Sequence, residues 1–321
     1  MLNMLIWKES ILTIDYRGDS LMNTQAIYDE LLNHLPKDNI KLQHELAPYT
    51  TFKIGGPAEL FVTPSNIEEV QAVLNLVNQE ELPYFVLGNA SNVLIDDNGL
   101  SGIVIYLGET FKDIQVEGTE ITAQSGVSLN KLSRMALKHG LTGLEFAEGI
   151  PGTLGGGLYM NAGAFGGQLS NVVKQVTAIV DHQIQNYTRE SMDFGYRSST
   201  FQNQNAIILQ ATLALQKGDF DQIKSYMEDL KSRRTEKQPL NYPSAGSVFK
   251  RPEGYYAGKL IEDSGLKGVE IGGAKVSEKH CGFIINTGTA TSRDVKELVS
   301  YIQKTVKEKF GVTLERELKY L

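Results

Sequence analysis

Residues 149–167, GIPGTLGGGLYMNAGAFGG, carry eight glycines in nineteen positions. Glycine lets backbone N–H groups come close to a ligand and adopt φ > 0 without a Cβ penalty, so the run reads as a cradle for a phosphate group. A flexible linker would have few apolar residues. Here Ile150, Leu154, Leu158, Tyr159, Met160 and Phe165 are interspersed, which marks a packed segment. The competing reading is a tight crossing of buried backbone with no ligand, because glycine also marks close packing. A shorter loop, GNASN at 88–92, separates the apolar segments Tyr84–Leu87 and NVLI and is a second place for phosphate or ribose oxygens to meet backbone N–H groups.

Four later stretches set polar residues beside glycine and aromatics. In FGYRSSTF (194–201) a lone Arg197 follows an aromatic, and such an arginine is commonly a surface cation. RRTEKQP (233–239) has the look of a solvated helix end. In YPSAGSVFKRP (242–252), Ser247 follows Gly246, a pairing more often found in turns than in catalysts. No histidine is near it in sequence and the pattern is not G-x-S-x-G, which disfavours a hydrolase nucleophile. Glu315 and Glu317 stand two apart in the tail and so share one face of a strand, ordinarily a solvated edge.

Absences narrow the chemistry. Neither G-x-G-x-x-G nor G-x-x-x-x-G-K-[ST] occurs, so two glycine loops without these signatures indicate a different kind of nucleotide-cofactor fold. Five scattered histidines with no H-x-x-x-H pair give no metal site. The single cysteine, Cys281, excludes an internal disulfide and any CxxC site and fits a reducing compartment. A net charge of -7 without a long basic run is poorly suited to a nucleic-acid backbone. No apolar run is long enough to span a membrane. The start of the chain is no signal peptide, since Lys8 and Glu9 interrupt its apolar patch and no A-x-A site follows. Residues 1–21 read as an upstream extension that contributes little.

The elements that must position these residues follow from periodicity. A helix is expected over 24–35, then a short strand at Glu59–Val62 after a Gly-Gly turn. Ser65 and Glu68 suggest a capping box for a helix bearing Val70, Val73, Leu74 and Val77. Strands follow at Tyr84–Leu87, NVLI and Ile103–Leu107, then a hairpin around Glu117 and Gly118. Ser128–His139 reads as a helix closed by Gly140. Residues 174–215 are strands again, with Ile207, Leu209, Ala211, Leu213 and Leu215 on one face. A helix over 220–235 runs to Pro239 and Pro243, read as a boundary, and a long helix over Arg293–Phe310 precedes a final strand in GVTLERELKYL. At about 150 residues per domain the length allows two domains or three small ones, and the class is α+β.

In order along the chain, TTFKIGGPA, LGNASN, GLEFAEGIPGTLGGGLYMNAGAFGG, FGYRSSTF, KQPLNYPSAGSVFKRP, AGKLIEDSGLKGVEIGGAKVS and LERELKY resemble the UDP-N-acetylenolpyruvoylglucosamine reductases, the flavoenzymes called MurB. The resemblance runs from about residue 40 to the C-terminus, and there is no room for the extra tyrosine-bearing loop that one branch carries. It implies an FAD-binding domain of the vanillyl-alcohol oxidase (PCMH) type followed by a smaller α+β substrate-binding domain. The division expected is 1–53 as extension and lead-in helix, 54–218 as FAD domain and 219–321 as substrate domain with its C-terminal strand. The activity implied is NADPH-dependent reduction of UDP-N-acetylglucosamine enolpyruvate to UDP-N-acetylmuramate for peptidoglycan, by a cytoplasmic monomer holding FAD non-covalently.

Matched motif by motif, the resemblance puts the catalytic arginine at Arg197, the proton-donating serine at Ser247 and the glutamate at Glu317. Gly88, Asn89, Ala90, Ser91 and Asn92 would hold FAD, as would Gly152, Thr153, Gly155, Gly156, Asn161, Ala162 and Gly163. Arg233 would approach the cofactor, and Lys237 and Arg251 the substrate. Hydride from flavin N5 would add to the enolpyruvyl alkene, and the enolate-like charge would fall to Arg197, helped by Glu317. Two positions depart from the family pattern. Ala90 stands where many members have glycine, which is harmless if its φ is negative, and Lys319 stands where arginine is frequent. The alternatives are an oxidase on the same flavin fold, or a nucleotide-binding module without turnover.

Overall fold

The computed structural model describes residues 23–321. The expected upstream extension, residues 1–21, lies outside them. Seven α-helices and three main sheets make up the described chain, and each sheet buries a face that the sequence marks as apolar.

The first sheet orders its strands Ile40–Glu45, Pro57–Val62, Leu100–Tyr106 and Tyr84–Leu87, the outer first pair antiparallel and the others parallel. Parallel strands need a crossover, supplied here by the helix Ile67–Gln79. Helices α1 (Thr24–Leu31) and α2 (Ile67–Gln79) lay Ile27, Leu31, Val70, Val73 and Val77 over this sheet against Leu60, Val62, Ile103 and Ile105. The cap of α2 sits one residue later than Ser65 and Glu68 suggested. Asn66 accepts from the Glu69 N–H at 2.8 Å, and the Glu69 carboxylate takes the Ser65 N–H at 2.7 Å.

The second sheet is antiparallel, ordered Gln183–Thr188, Val173–Val180, Ile207–Ala214, Glu120–Gln124, Ile114–Glu117. On it pack α3 (Leu129–Lys138, capped by Ser128) and the short α4 (Leu154–Tyr159), with Leu129, Leu132, Leu154, Leu158 and Leu169 in one core. The third sheet, Ser244–Ser247, Phe283–Asn286, Ala274–Val276 and Glu270–Ile271, is covered by α6 (Ala257–Asp263) and α7 (Ser292–Phe310). α7 turns Val295, Leu298, Val299, Ile302 and Val306 inward, the stripe expected from its periodicity.

Two expected boundaries cut through packed structure. Ile40–Glu45 pairs with Pro57–Val62, so the residues before 54 fold into the first sheet and are no mere lead-in. Helix α5 (Phe220–Lys237), expected in the substrate domain, packs on α3 and on the turn Glu145–Ala147. Its apolar stripe needs a partner, and that partner lies upstream. The tail forms a strand only at Lys319–Tyr320, parallel to Val93–Leu94 in a separate two-stranded sheet, which ties the end of the chain to the segment that follows the loop 88–92. No helix among the described residues is long and apolar enough to cross a membrane.

Candidate active site

A cavity of about 1300 Å³ opens between the two glycine loops and the third sheet. It exceeds the usual size of a site for one drug-sized ligand and has room for two. Its walls include GNASN, parts of the glycine-rich run, and Arg197, Ser247 and Glu317.

The two loops touch. The Asn89 amide donates to the Pro151 carbonyl at 2.9 Å, and a Cβ on Gly88 would stand 2.3 Å from Thr153 Oγ1. They differ in what they offer a ligand. In the first turn of α4, Leu154 N–H donates to Val127 O and Gly155 N–H to Ser125 O, both at 2.8 Å, while Gly156 and Gly157 donate to Thr153. The glycines there serve close packing: a Cβ on Gly155 would meet Ser125 Cβ at 2.8 Å and one on Gly157 would meet Leu169 at 2.7 Å. The reading of this turn as a phosphate cradle is therefore corrected in favour of the packing reading. In 88–92, by contrast, no backbone N–H donates to an acceptor among the described residues. The loop is the concave, donor-rich one, of the kind that holds an anion.

Ala90 in that loop has φ +42°, so the condition of a negative φ fails and its backbone is strained. Gly152, Thr153, Gly155, Gly156, Ala162 and Gly163 line the cavity. Asn161 does not. Its buried amide donates to Gly195 O at 2.9 Å and accepts from Ser170 N–H at 3.1 Å, so it braces the loop that carries Arg197 from behind.

Arg197 Nε donates to Glu317 Oε1 at 2.7 Å, and its Nη2 to Gly163 O at 3.2 Å. These residues are 120 apart in sequence and both are largely buried. Burial pushes the Glu317 carboxyl above the ordinary range, although the Arg197 guanidinium pulls the other way. Glu315, two residues earlier, is exposed and pairs with Lys250, which separates the two acids that looked equivalent in sequence. Glu317 N–H donates to Val248 O at 2.8 Å, so the residue after Ser247 is stitched to the glutamate. Gly246, at φ +76°, sits at an irregularity in the strand Ser244–Ser247, and Ser247 lies in the cavity wall. Arg197 itself has φ +55°, a strained conformation of the kind that collects at functional sites.

Arg251 lines the cavity with its guanidinium 4.0 Å over the Tyr256 ring, and its N–H reaches the Tyr196 hydroxyl at 3.3 Å. Arg233 and Lys237 do not line it. Arg233 is on the outer face of α5, paired with Asp229 at 2.7 Å, and Lys237 is exposed. The residue that points inward is Arg234, which crowds Gly149, where a Cβ would stand 2.6 Å from Arg234 Cδ. The signal was in the periodicity: Ile223, Met227 and Leu230 are the buried face of α5, and 234 continues it. Lys319 lines the cavity and burial lowers its pKa. No cluster of metal-ligating side chains exists among the described residues.

Among the described residues four buried side-chain atoms have no hydrogen-bond partner, Ser125 Oγ, Gln238 Oε1, Arg316 Nη1 and Tyr320 Oη, and all four residues line this cavity. Buried polar groups are nearly always paired, so the cavity is built for a polar ligand. A sheet-and-helix domain with a donor-rich loop at the end of a parallel strand, opening on a large cleft, defines a nucleotide-cofactor domain joined to a second α+β unit. Residues 57–182 match the model of the FAD binding domain, and residues 238–321 match that of the UDP-N-acetylenolpyruvoylglucosamine reductase C-terminal domain. The UDP-N-acetylenolpyruvoylglucosamine reductase of Clostridioides difficile is 49% identical over 94% of this chain and 99% of its own length. That of Clostridium perfringens is 48% identical over 94% of this chain and 99% of its own. The crystal structure of the Thermus caldophilus reductase (MurB) superposes with a TM-score of 0.75 at 35% identity, covering 88% of this chain and 97% of that one.

The chain belongs to the UDP-N-acetylenolpyruvoylglucosamine reductase family. It is an oxidoreductase with an FAD-binding domain, and FAD is its cofactor.

Proposed function

We propose that this chain uses NADPH to reduce the enolpyruvyl group of UDP-N-acetylglucosamine enolpyruvate, giving UDP-N-acetylmuramate for peptidoglycan. The observation that carries the reading is the meeting of Arg197, Glu317 and Ser247 in one cleft, with Arg197 Nε 2.7 Å from Glu317 Oε1. FAD, held by the 88–92 loop and the wall at 152–156, supplies the two-electron transfer that no side chain provides.

The side chains supply the rest. Reduction at the terminal alkene carbon drives electron pairs towards the substrate carboxylate, and that charge needs fixed donors where it develops. Arg197 has five N–H donors, and Glu317 and Gly163 engage two, leaving three for the substrate. Glu317 holds the guanidinium in plane and, with its pKa raised by burial, supplies a hydrogen-bond donor when it carries a proton. Ser247, whose hydroxyl has no partner among the described residues, then gives its proton to the basic adjacent carbon, and a solvent water returns a proton to the serine oxygen. Arg251 over Tyr256 suits the anionic, aromatic end of a UDP-sugar, and Arg234 takes the cofactor-facing part expected of Arg233.

A small-molecule reaction of this kind fits a cytoplasmic single chain with one buried thiol. The test is anaerobic mixing of the purified yellow protein. Rapid bleaching by NADPH and return of colour with UDP-N-acetylglucosamine enolpyruvate support the reading. Bleaching only by an oxidisable alcohol or sugar would replace it with an oxidase.

A further inference from the structure

Ser125 ends the strand Glu120–Gln124, is 2% exposed, and its hydroxyl has no partner among the described residues although it lines the cleft. It cannot withdraw. Its N–H donates to Leu209 O and its C=O accepts from Gly155 N–H, each at 2.8 Å, so the backbone is held on both sides. Gly155 packs so close that any Cβ there would lie 2.8 Å from Ser125 Cβ. The neighbouring donors are already engaged, since the N–H groups of Leu154, Gly155, Gly156 and Gly157 all bond within the protein. Within α4 the backbone donors are used up, so on this part of the wall the Ser125 hydroxyl is a free donor beside the N–H groups of Gly152 and Thr153, which have no acceptor among the described residues.

We propose that the Ser125 hydroxyl donates a hydrogen bond to an oxygen of bound FAD and is a cofactor-affinity determinant of this chain. The proposal rests on FAD occupying this cleft. It accounts for a hydroxyl that would otherwise be buried at a net cost, because an unmatched polar group is desolvated without return. It also accounts for serine at a spot walled by Gly155, where alanine would fit as well.

The experiment measures FAD binding and thermal unfolding of flavin-free protein for the parent and for Ser125→Ala. The expected result is an FAD dissociation constant raised about five- to tenfold, the effect of one lost hydrogen bond. The flavin-free variant should melt at or above the parent temperature, because an unmatched hydroxyl has been removed. Ser125→Cys, of similar shape but a weak donor, should fall between the two. Equal FAD affinity in parent and Ser125→Ala would overturn the proposal. So would a flavin-free Ser125→Ala that melts lower or does not fold, which would show the hydroxyl to be matched within the protein. Failure of the parent itself to bind FAD would instead overturn the cofactor reading, and the proposal with it.

Discussion

Replacing Arg197 by methionine removes the guanidinium while keeping much of the aliphatic stem. Arg197 lines the cleft with three of its N–H groups unengaged among the described residues, and loss of such preorganised donors raises the barrier by about 3 to 4 kcal/mol. At about 1.4 kcal/mol per decade this is a fall of roughly 10² to 10³ in the rate of enolpyruvyl reduction. The step in which NADPH reduces the flavin creates no charge at this position and should stay within about twofold. Stopped-flow absorbance separates the two half-reactions. The same change strands Glu317, whose carboxyl is already pushed up by burial and now loses the guanidinium that pulled it down. Its folded pKa, above the unfolded value, rises further, so the stability it contributes is present in the protonated form and is lost as pH climbs through the folded value. Arg197→Met should thus melt close to the parent near about pH 5 and fall behind it by about 1 to 2 kcal/mol near about pH 8, less than for a fully buried pair because both side chains keep some exposure. An equal loss in both half-reactions, or a melting deficit that shrinks as pH rises, would refute the reasoning.

Ser247→Ala should leave flavin reduction by NADPH near normal and nearly abolish the second half-reaction; turnover at the parent rate would remove the serine from the mechanism. Ala90→Gly relieves a backbone at φ +42° at the expense of a buried methyl group, terms of about 1 kcal/mol each, so denaturant midpoints should agree within about 1 kcal/mol. A loss of several kcal/mol would mean the positive φ is not strained. Asp97 accepts from Ser292 N–H at 2.8 Å, Ser292 Oγ at 3.0 Å and Arg293 N–H at 3.3 Å, joining the first sheet's loop to the start of α7. Asp97→Ala should lower stability by about 1 to 2 kcal/mol, read as a shift in urea midpoint, and an unchanged midpoint would show that Thr291 alone caps the helix.

Much of the fold was legible in the sequence because it depends on neighbours in the chain. The stripe of α7, the cap at Ser128, the strand at Tyr84–Leu87 and the Glu117–Gly118 hairpin are local patterns, and each forms as its periodicity or turn chemistry requires. The ordered motifs singled out Arg197, Ser247 and Glu317, three residues that line one cavity. What the chain could not reveal is what only packing decides. Whether a glycine loop's N–H groups face a ligand or a carbonyl depends on which strand end lies beside it, and Ser125, Val127 and Thr153 take those of α4 while the loop at 88–92 keeps its own. One helical step of about 100° separates Arg233 in solvent from Arg234 in the cleft, and the phase is set by the core that α5 meets. Glu317 differs from Glu315 because a guanidinium 120 residues away reaches one and not the other, a proximity that exists only once distant parts of the chain line the same cavity.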